Sequence, residues 1–106
     1  MIQLEVKLEL KPEKEQEFLD IFRDQFAPAM SKQSGFVRVS LLKQRENKSR
    51  YQIEIVFESE EKRCAWVKTK EHEDTWPKLA ALIKEYFTEG YDYIIEVTPQ
   101  FTSHKN

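Results

Sequence analysis

Between Arg63 and Leu79 the stretch RCAWVKTKEHEDTWPKL gathers the residues with the widest chemical range in the chain: its one cysteine, Cys64, both tryptophans, Trp66 and Trp76, and His72. An imidazole titrating near neutral pH can take the proton of a phenol and leave the electron-rich phenolate that reacts with oxygen, a step worth about a hundred-fold or more in rate. Trp66 and Trp76 are large enough to bury a flat aromatic ligand while leaving its polar edge free for hydrogen bonds. His72 and Trp76 stand four residues apart and share a face if one helix carries both. The same side chains also suit a packed core, a reading that weighs most for Trp76, and His72 could instead bond backbone or Glu71 at a helix start. Cys64 has no histidine beside it in sequence and reads as a small buried hydrophobe. Tyr51, Tyr86 and Tyr93 are further sources of hydroxyl groups for such a pocket.

Composition narrows the classes this site could belong to. The 106 residues suffice for one core and are too few for two ordinary domains. Hydrophobic residues make up 40% and charged residues 34%, the balance of a soluble globular protein. A net charge of -2 arises from both signs mixed along the chain, so nothing resembles a nucleic-acid footprint. The apolar runs are too short to span a bilayer, and MIQLEVKLEL lacks the basic start of a secretion signal, which points to the cytoplasm. With one cysteine and two histidines no metal-ligand spacing is present, and two glycines exclude a Gly-rich phosphate loop.

The elements that must hold the site follow from periodicity. IQLEVKLEL alternates apolar and polar residues and predicts a strand. KPEKEQEF starts a helix at Pro12, along which Phe18, Leu19, Phe22, Phe26 and Met30 recur at helical spacing; Pro28 kinks or shortens it and Gly35 ends it. FVRVSLL and RYQIEIVFE form a hairpin through a turn at Asn47. Ser59 caps a helix carrying Cys64, Trp66 and Val67, and a second helical piece with a break near Thr75, before Pro77, runs from His72 through Leu82, Ile83, Tyr86 and Phe87. Gly90 breaks that run, and YDYIIEVTPQF, closed by Pro99, supplies the last strand. The order predicts an α+β, ferredoxin-like β-α-β-β-α-β domain over residues 1–101, its four-stranded antiparallel sheet carrying both helices on one face, with a short polar tail over 102–106. Leu4, Val6, Leu8, Tyr51, Ile53, Ile55, Phe57, Tyr93, Ile95 and Val97 would face the helices. Glu5, Lys7, Glu9, Arg38, Glu54 and Glu96, with Leu42 and Ile94, would face away.

Within that order SGFVRVSLLKQ, YQIEIVFESEEKRCAW and KTKEHEDTWPKL resemble the antibiotic-biosynthesis monooxygenase-like domains of the dimeric α/β-barrel superfamily. Gly35 with Phe36, the strand end Phe57-Glu58-Ser59, Trp66 and His72 carry most of the likeness. The resemblance implies a homodimer whose two sheets close into a barrel, and a pocket between sheet and helices for a small aromatic molecule. It further implies cofactor-independent oxidation of a phenolic or quinone-like compound, with no metal and no flavin. On that template Trp66 lines the pocket, and Lys62 stands where quinone-forming members carry an asparagine that helps bind the oxidised phenol. His72 and Trp66 are the catalytic candidates; Trp66, Trp76, Tyr51 and Lys62 are the substrate-binding ones. Haem-binding or haem-degrading relatives suggest an alternative with His72 on the iron, although Val6 and Lys7 occupy the strand positions where those relatives carry an asparagine. A non-catalytic dimeric metabolite-binding module is the third alternative. The homodimer expectation rests also on the polar sheet face, whose charges would pair across a two-fold axis and whose Arg38, reversed to Glu, would weaken it.

Overall fold

In the computed structural model, which describes residues 1–99, the alternating first segment is strand β1 (Ile2–Leu10), the inner strand on which the others are hung. It pairs antiparallel with β3 (Arg50–Phe57) on one side and β4 (Ile83–Asp92) on the other, and β2 (Phe36–Lys43) closes the order β2-β3-β1-β4. This is the ferredoxin-like α+β arrangement expected. Val6, Leu8 and Leu10 are buried on the helix side, where they meet Tyr51, Ile53, Ile55 and Phe57 of β3. The domain boundary at 101 and the tail 102–106 lie outside the described residues.

The first helical stretch is interrupted and still unbroken as a face. Helix α1 (Glu15–Ile21) passes into a π-helical turn (Phe22–Phe26) and then α2 (Ala27–Ser31). It begins at Glu15 and not at Pro12, because Glu13 takes a positive φ of 63° that no helix allows. Pro28 has no N–H for the carbonyl of Asp24 and its ring would press on it; winding the preceding turn more widely accommodates the proline without a break. Phe18, Phe22, Phe26 and Met30 therefore all stay buried at intervals of four residues.

Gly35, with φ 83°, turns the chain out of α2 into β2. A Cβ there would stand 2.7 Å from the Cβ and Cγ of Lys62, so this glycine answers both a backbone and a packing demand. The β2–β3 hairpin forms as expected, and its turn is held by Asn47 Oδ1, which accepts from the Ser49 amide and hydroxyl at 3.2 and 2.9 Å.

Helix α3 (Glu60–Val67) starts at Ser59, whose hydroxyl accepts from the Lys62 amide at 3.2 Å. The break between the two helical pieces falls at Lys68–Thr69 and not near Thr75. Thr69 accepts from the His72 amide at 3.1 Å and caps α4 (Lys70–Ala80), which runs straight through Pro77. Pro77 and Glu73 are both exposed, so the carbonyl that the proline leaves without a partner is open to water.

The largest correction concerns the last strand. The segment from Ile83 to Asp92, read as helix up to a break at Gly90, is β4, whereas Tyr93, Ile95 and Val97 do not join the sheet. Ile94, Ile95 and Val97 are 86%, 82% and 88% exposed. Glu96 likewise lies beyond β4 and takes no place on the open sheet face. The spacing of Leu82, Ile83, Tyr86 and Phe87 fits a helix locally, yet β1 presents a free row of backbone groups along its whole length. β4 satisfies that row from Leu10↔Ile83 to Ile2↔Asp92, and long-range pairing overrides local pattern. Gly90 lies inside the strand opposite Leu4. On the sheet's open face Glu5, Lys7, Glu9, Arg38 and Glu54 stand as expected, joined by Phe87, Glu89 and Tyr91 of β4. No helix among the described residues is long and apolar enough to cross a membrane.

Gly35→Ala should lower stability by about 1–2 kcal/mol from the left-handed backbone alone, and more from the crowding against Lys62, read as a fall in the urea midpoint at unchanged slope.

Candidate active site

The break at Thr69 is what brings the site together. It lets α3 present Trp66 and α4 present His72 and Trp76 toward the same gap above the sheet, and the π-helical turn delivers Phe26 to it from the other side. The Trp66 and His72 rings meet edge to face at 5.0 Å, while His72 and Trp76 stack at 6.5 Å with 25° between their planes. Phe26 stands 5.8, 6.4 and 5.9 Å from Trp66, His72 and Trp76. Tyr86 of β4 closes the far side, edge-on to Trp76 at 5.4 Å.

These side chains line a cavity of about 160 Å³, open to solvent past the exposed Tyr86, Thr88 and Val67, floored by Leu4, Val6, Ile53 and Ile55 of the sheet and flanked by Arg63. A void of about 150 Å³ with such walls takes a benzene ring, so the volume suits a single aromatic ring. The walls are apolar apart from His72, Arg63, Thr88 and the Tyr86 hydroxyl. Trp66 is 2% exposed and belongs to the core; Trp76 is half-buried and packs against it. Both tryptophans thus pack in or against the core and line the cavity.

Burial pushes the His72 pKa below its ordinary value; Glu73 opposes this and the positive charge of Arg63 adds to it. A histidine with a depressed pKa is neutral at physiological pH and ready to accept a proton. Among the described residues its ring nitrogens make no hydrogen bond, the backbone amide alone being held by Thr69.

Two expected binding residues are elsewhere. The Tyr51 hydroxyl donates to Glu15, a pair joined by Lys43, and burial followed by that bond raises the tyrosine pKa. Tyr51 faces the opposite end of the sheet because β3 places it opposite Leu8, two residues along β1 from Val6 of the cavity floor. Lys62 points away from the cavity and donates from Nζ to Ser34 at 2.8 Å, its stem against Gly35. Cys64 is half-buried rather than buried, with its Sγ 3.4 Å from Glu60 Oε2. Among the described residues no group of three histidine, cysteine or acidic side chains gathers into a metal site. The haem alternative gains no support, the cavity being well below the roughly 300–1,000 Å³ of pockets for drug-sized ligands.

Sequence reasoning passed over Arg63 and Thr88 as site residues and left Phe26 and Val67 among the core and helix positions. Phe26 carried a signal, as the ring of its helix two residues before Pro28; Thr88 carried none, because its segment read as helix.

A ferredoxin-like α+β domain with an aromatic cavity between its sheet and helices defines the class. The particular group is fixed by sequence: the family model for antibiotic biosynthesis monooxygenase matches residues 1–77, and the chain belongs to that family. No curated protein matches it. Among solved structures it is similar to SnoaB, a cofactor-independent oxygenase from Streptomyces nogalater, with 17% identity and a TM-score of 0.81 over 92% of this chain and 97% of that one. It is similar also to a conserved protein from Methanosarcina mazei Go1, with 21% identity and a TM-score of 0.78 over 85% of this chain and 89% of the other. A candidate antibiotic biosynthesis monooxygenase from Nitrosomonas europaea gives 16% identity and a TM-score of 0.80 over 90% and 100%. At these identities the likeness establishes the fold alone.

The imidazole of His72 should titrate below the ordinary histidine value when followed by NMR. Because the folded pKa is depressed, the stability linked to this group is fully present above the unfolded value of about 6.5 and is lost as pH falls from there through the folded value. His72→Gln should accordingly flatten the decline of the urea midpoint between pH 7 and pH 5.

Proposed function

We propose that this protein is a cofactor-independent monooxygenase acting on a small phenol or hydroquinone, most simply one with a single ring in the cavity. The observation that carries the reading is the convergence of Trp66, His72 and Trp76 on one cavity in a chain of this family. The balance of the reaction explains why no cofactor is needed. A phenol and O₂ give a quinone and water: the O–H and one ring C–H lose their hydrogens to one oxygen atom, which leaves as water, and the other oxygen becomes the new carbonyl. The substrate supplies all four electrons.

In this scheme neutral His72 accepts the phenolic proton, and the resulting phenolate passes an electron to oxygen. Trp66, Trp76 and Phe26 hold the ring and keep bulk water from the reactive pair. Tyr51 and Lys62 have no part. Oxygen uptake by the purified protein with a panel of monocyclic phenols and hydroquinones tests this. Turnover should survive metal chelation and fall about a hundred-fold or more in His72→Gln. Trp66→Phe should weaken binding. No uptake across the panel would leave the second reading, a non-catalytic binding module, which the absence of a hydrogen-bond partner for the imidazole among the described residues favours.

We further propose a homodimer built through the open face of the sheet. Support comes from Leu42, Phe87 and Tyr91, each about half exposed on this face, and from the apolar run Ile94, Ile95 and Val97 that leaves its edge. Arg38 is less suited to test it than expected, because it donates to Tyr93 Oη at 3.0 Å in its own chain and lies 3.9 Å from Glu54. Sedimentation at micromolar concentration should show a dimer that Phe87→Lys combined with Ile95→Lys converts to monomer; a monomeric parent protein would end the proposal.

A further inference from the structure

One cation, Arg63, borders a mostly apolar cavity, and half of its guanidinium is unused among the described residues. Arg63 projects from α3 with its side chain 18% exposed. Its Nε and Nη2 donate to the two oxygens of Glu60 at 2.9 and 2.6 Å, a bidentate pair that fixes the plane of the guanidinium. Nη1, with its two protons, makes no hydrogen bond among the described residues. A guanidinium has no acceptor capacity, so those protons can be satisfied only by water or by a ligand oxygen.

The sheet leaves that group accessible. On the helix-facing side of β4 the residues run Tyr86, Thr88, Gly90; the first two line the aromatic cavity, and Gly90 lines a second hollow of about 240 Å³ that shares Leu4 and Arg63 with it. A Cβ built on Gly90 would meet nothing within 4 Å. The strand thus lacks a side chain at the position beside the arginine, and the two spaces adjoin there. Charged and titratable groups around this point are Glu60 and Cys64 of α3, the thiol 3.7 Å from Arg63 Nη2, with His72 of α4, Tyr86 of β4 and, in the second hollow, Tyr91 and Asp92. Glu60 is already committed to the other edge of the guanidinium.

We propose that Arg63 is the anion-binding residue of this site, its Nη1 edge holding the oxygen of a bound phenol as phenolate. This rests on the reading of the cavity as a phenol site. The proton leaves to the neutral imidazole of His72 and from there to bulk water; no other bond changes. The physical argument yields a sign. Apolar walls alone disfavour the charged form and raise the pKa of a bound phenol, whereas a cation within about 4–6 Å lowers it by about one to three units. Arg63 decides which effect wins.

The test uses 4-nitrophenol, whose phenolate is coloured, bound to the full-length protein and titrated by absorbance. The bound pKa should lie at least about one unit below that of the free compound. Arg63→Gln should bring it above the free value, with Arg63→Lys between the two. Glu60→Gln, which removes the competing carboxylate, should lower it further, and it carries the test should Arg63→Gln fail to fold. A bound pKa above the free value in the parent protein, one indifferent to Arg63→Gln or to Glu60→Gln, or no binding of the probe at millimolar concentration would each overturn the proposal. The two readings fail separately: a depressed bound pKa without oxygen uptake by any phenol defeats the oxygenase and leaves the anion site, and uptake with a raised bound pKa does the reverse.

Discussion

The pairing of β1 with strands on both sides imposes the constraint on which the rest of this structure depends. Its period-two alternation gives the central strand one apolar and one charged face, and a shift of one residue in either neighbour would exchange the two. With Leu4, Val6 and Leu8 toward the helices, β3 must present Tyr51, Ile53 and Ile55, and β4 must present Tyr86, Thr88 and Gly90. The aromatic layer on the helices then has a fixed floor to pack against. The cavity lies where that floor falls from a large residue, Tyr86, to small ones, Thr88 and Gly90.

A void survives there because the helices cannot close over it. Phe26, Trp66, His72 and Trp76 hold one another ring against ring, edge-on, tilted or stacked, at separations near 5–6.5 Å. Flat groups locked in such contacts cannot collapse into a gap as Leu or Met would. The π-helical turn and the cap at Thr69 set the positions of these rings, so two local backbone devices on separate helices determine one shared volume. Depression of the His72 pKa follows from the same packing, since the rings that form the walls take part of the imidazole out of water.

Charge is distributed with comparable economy. The open sheet face carries ion pairs such as Lys7 with Glu89 at 3.0 Å, which at this exposure add little to stability but keep the face wettable. The cavity side holds a single arginine, tied to Glu60 on one edge only. The two faces of one sheet thus differ: one carries paired charges beside the half-exposed Leu42, Phe87 and Tyr91, the other the floor of the aromatic cavity.

Much of this was legible in the residues themselves. Alternation in β1 and β3, the cap at Ser59, the turn at Gly35 and the grouping of Trp66, His72 and Trp76 all rest on interactions within a few positions, which local sequence encodes. Three features were not. Leu82, Ile83, Tyr86 and Phe87 have helical spacing and become strand only because β1 has a free edge to pair, a fact about residues some eighty positions away. Tyr51 and Lys62 were drawn to the site by type and by resemblance, but register sends the first to the far end of the sheet and Gly35 gives the second a different seat. Nothing in its local sequence marks Arg63; only the fold places it in the lining of both the aromatic cavity and the hollow at Gly90. Sequence determined the elements and the kinds of side chain available to them; which of those side chains share a space was decided by strand pairing, because partners in a sheet are chosen across the whole chain.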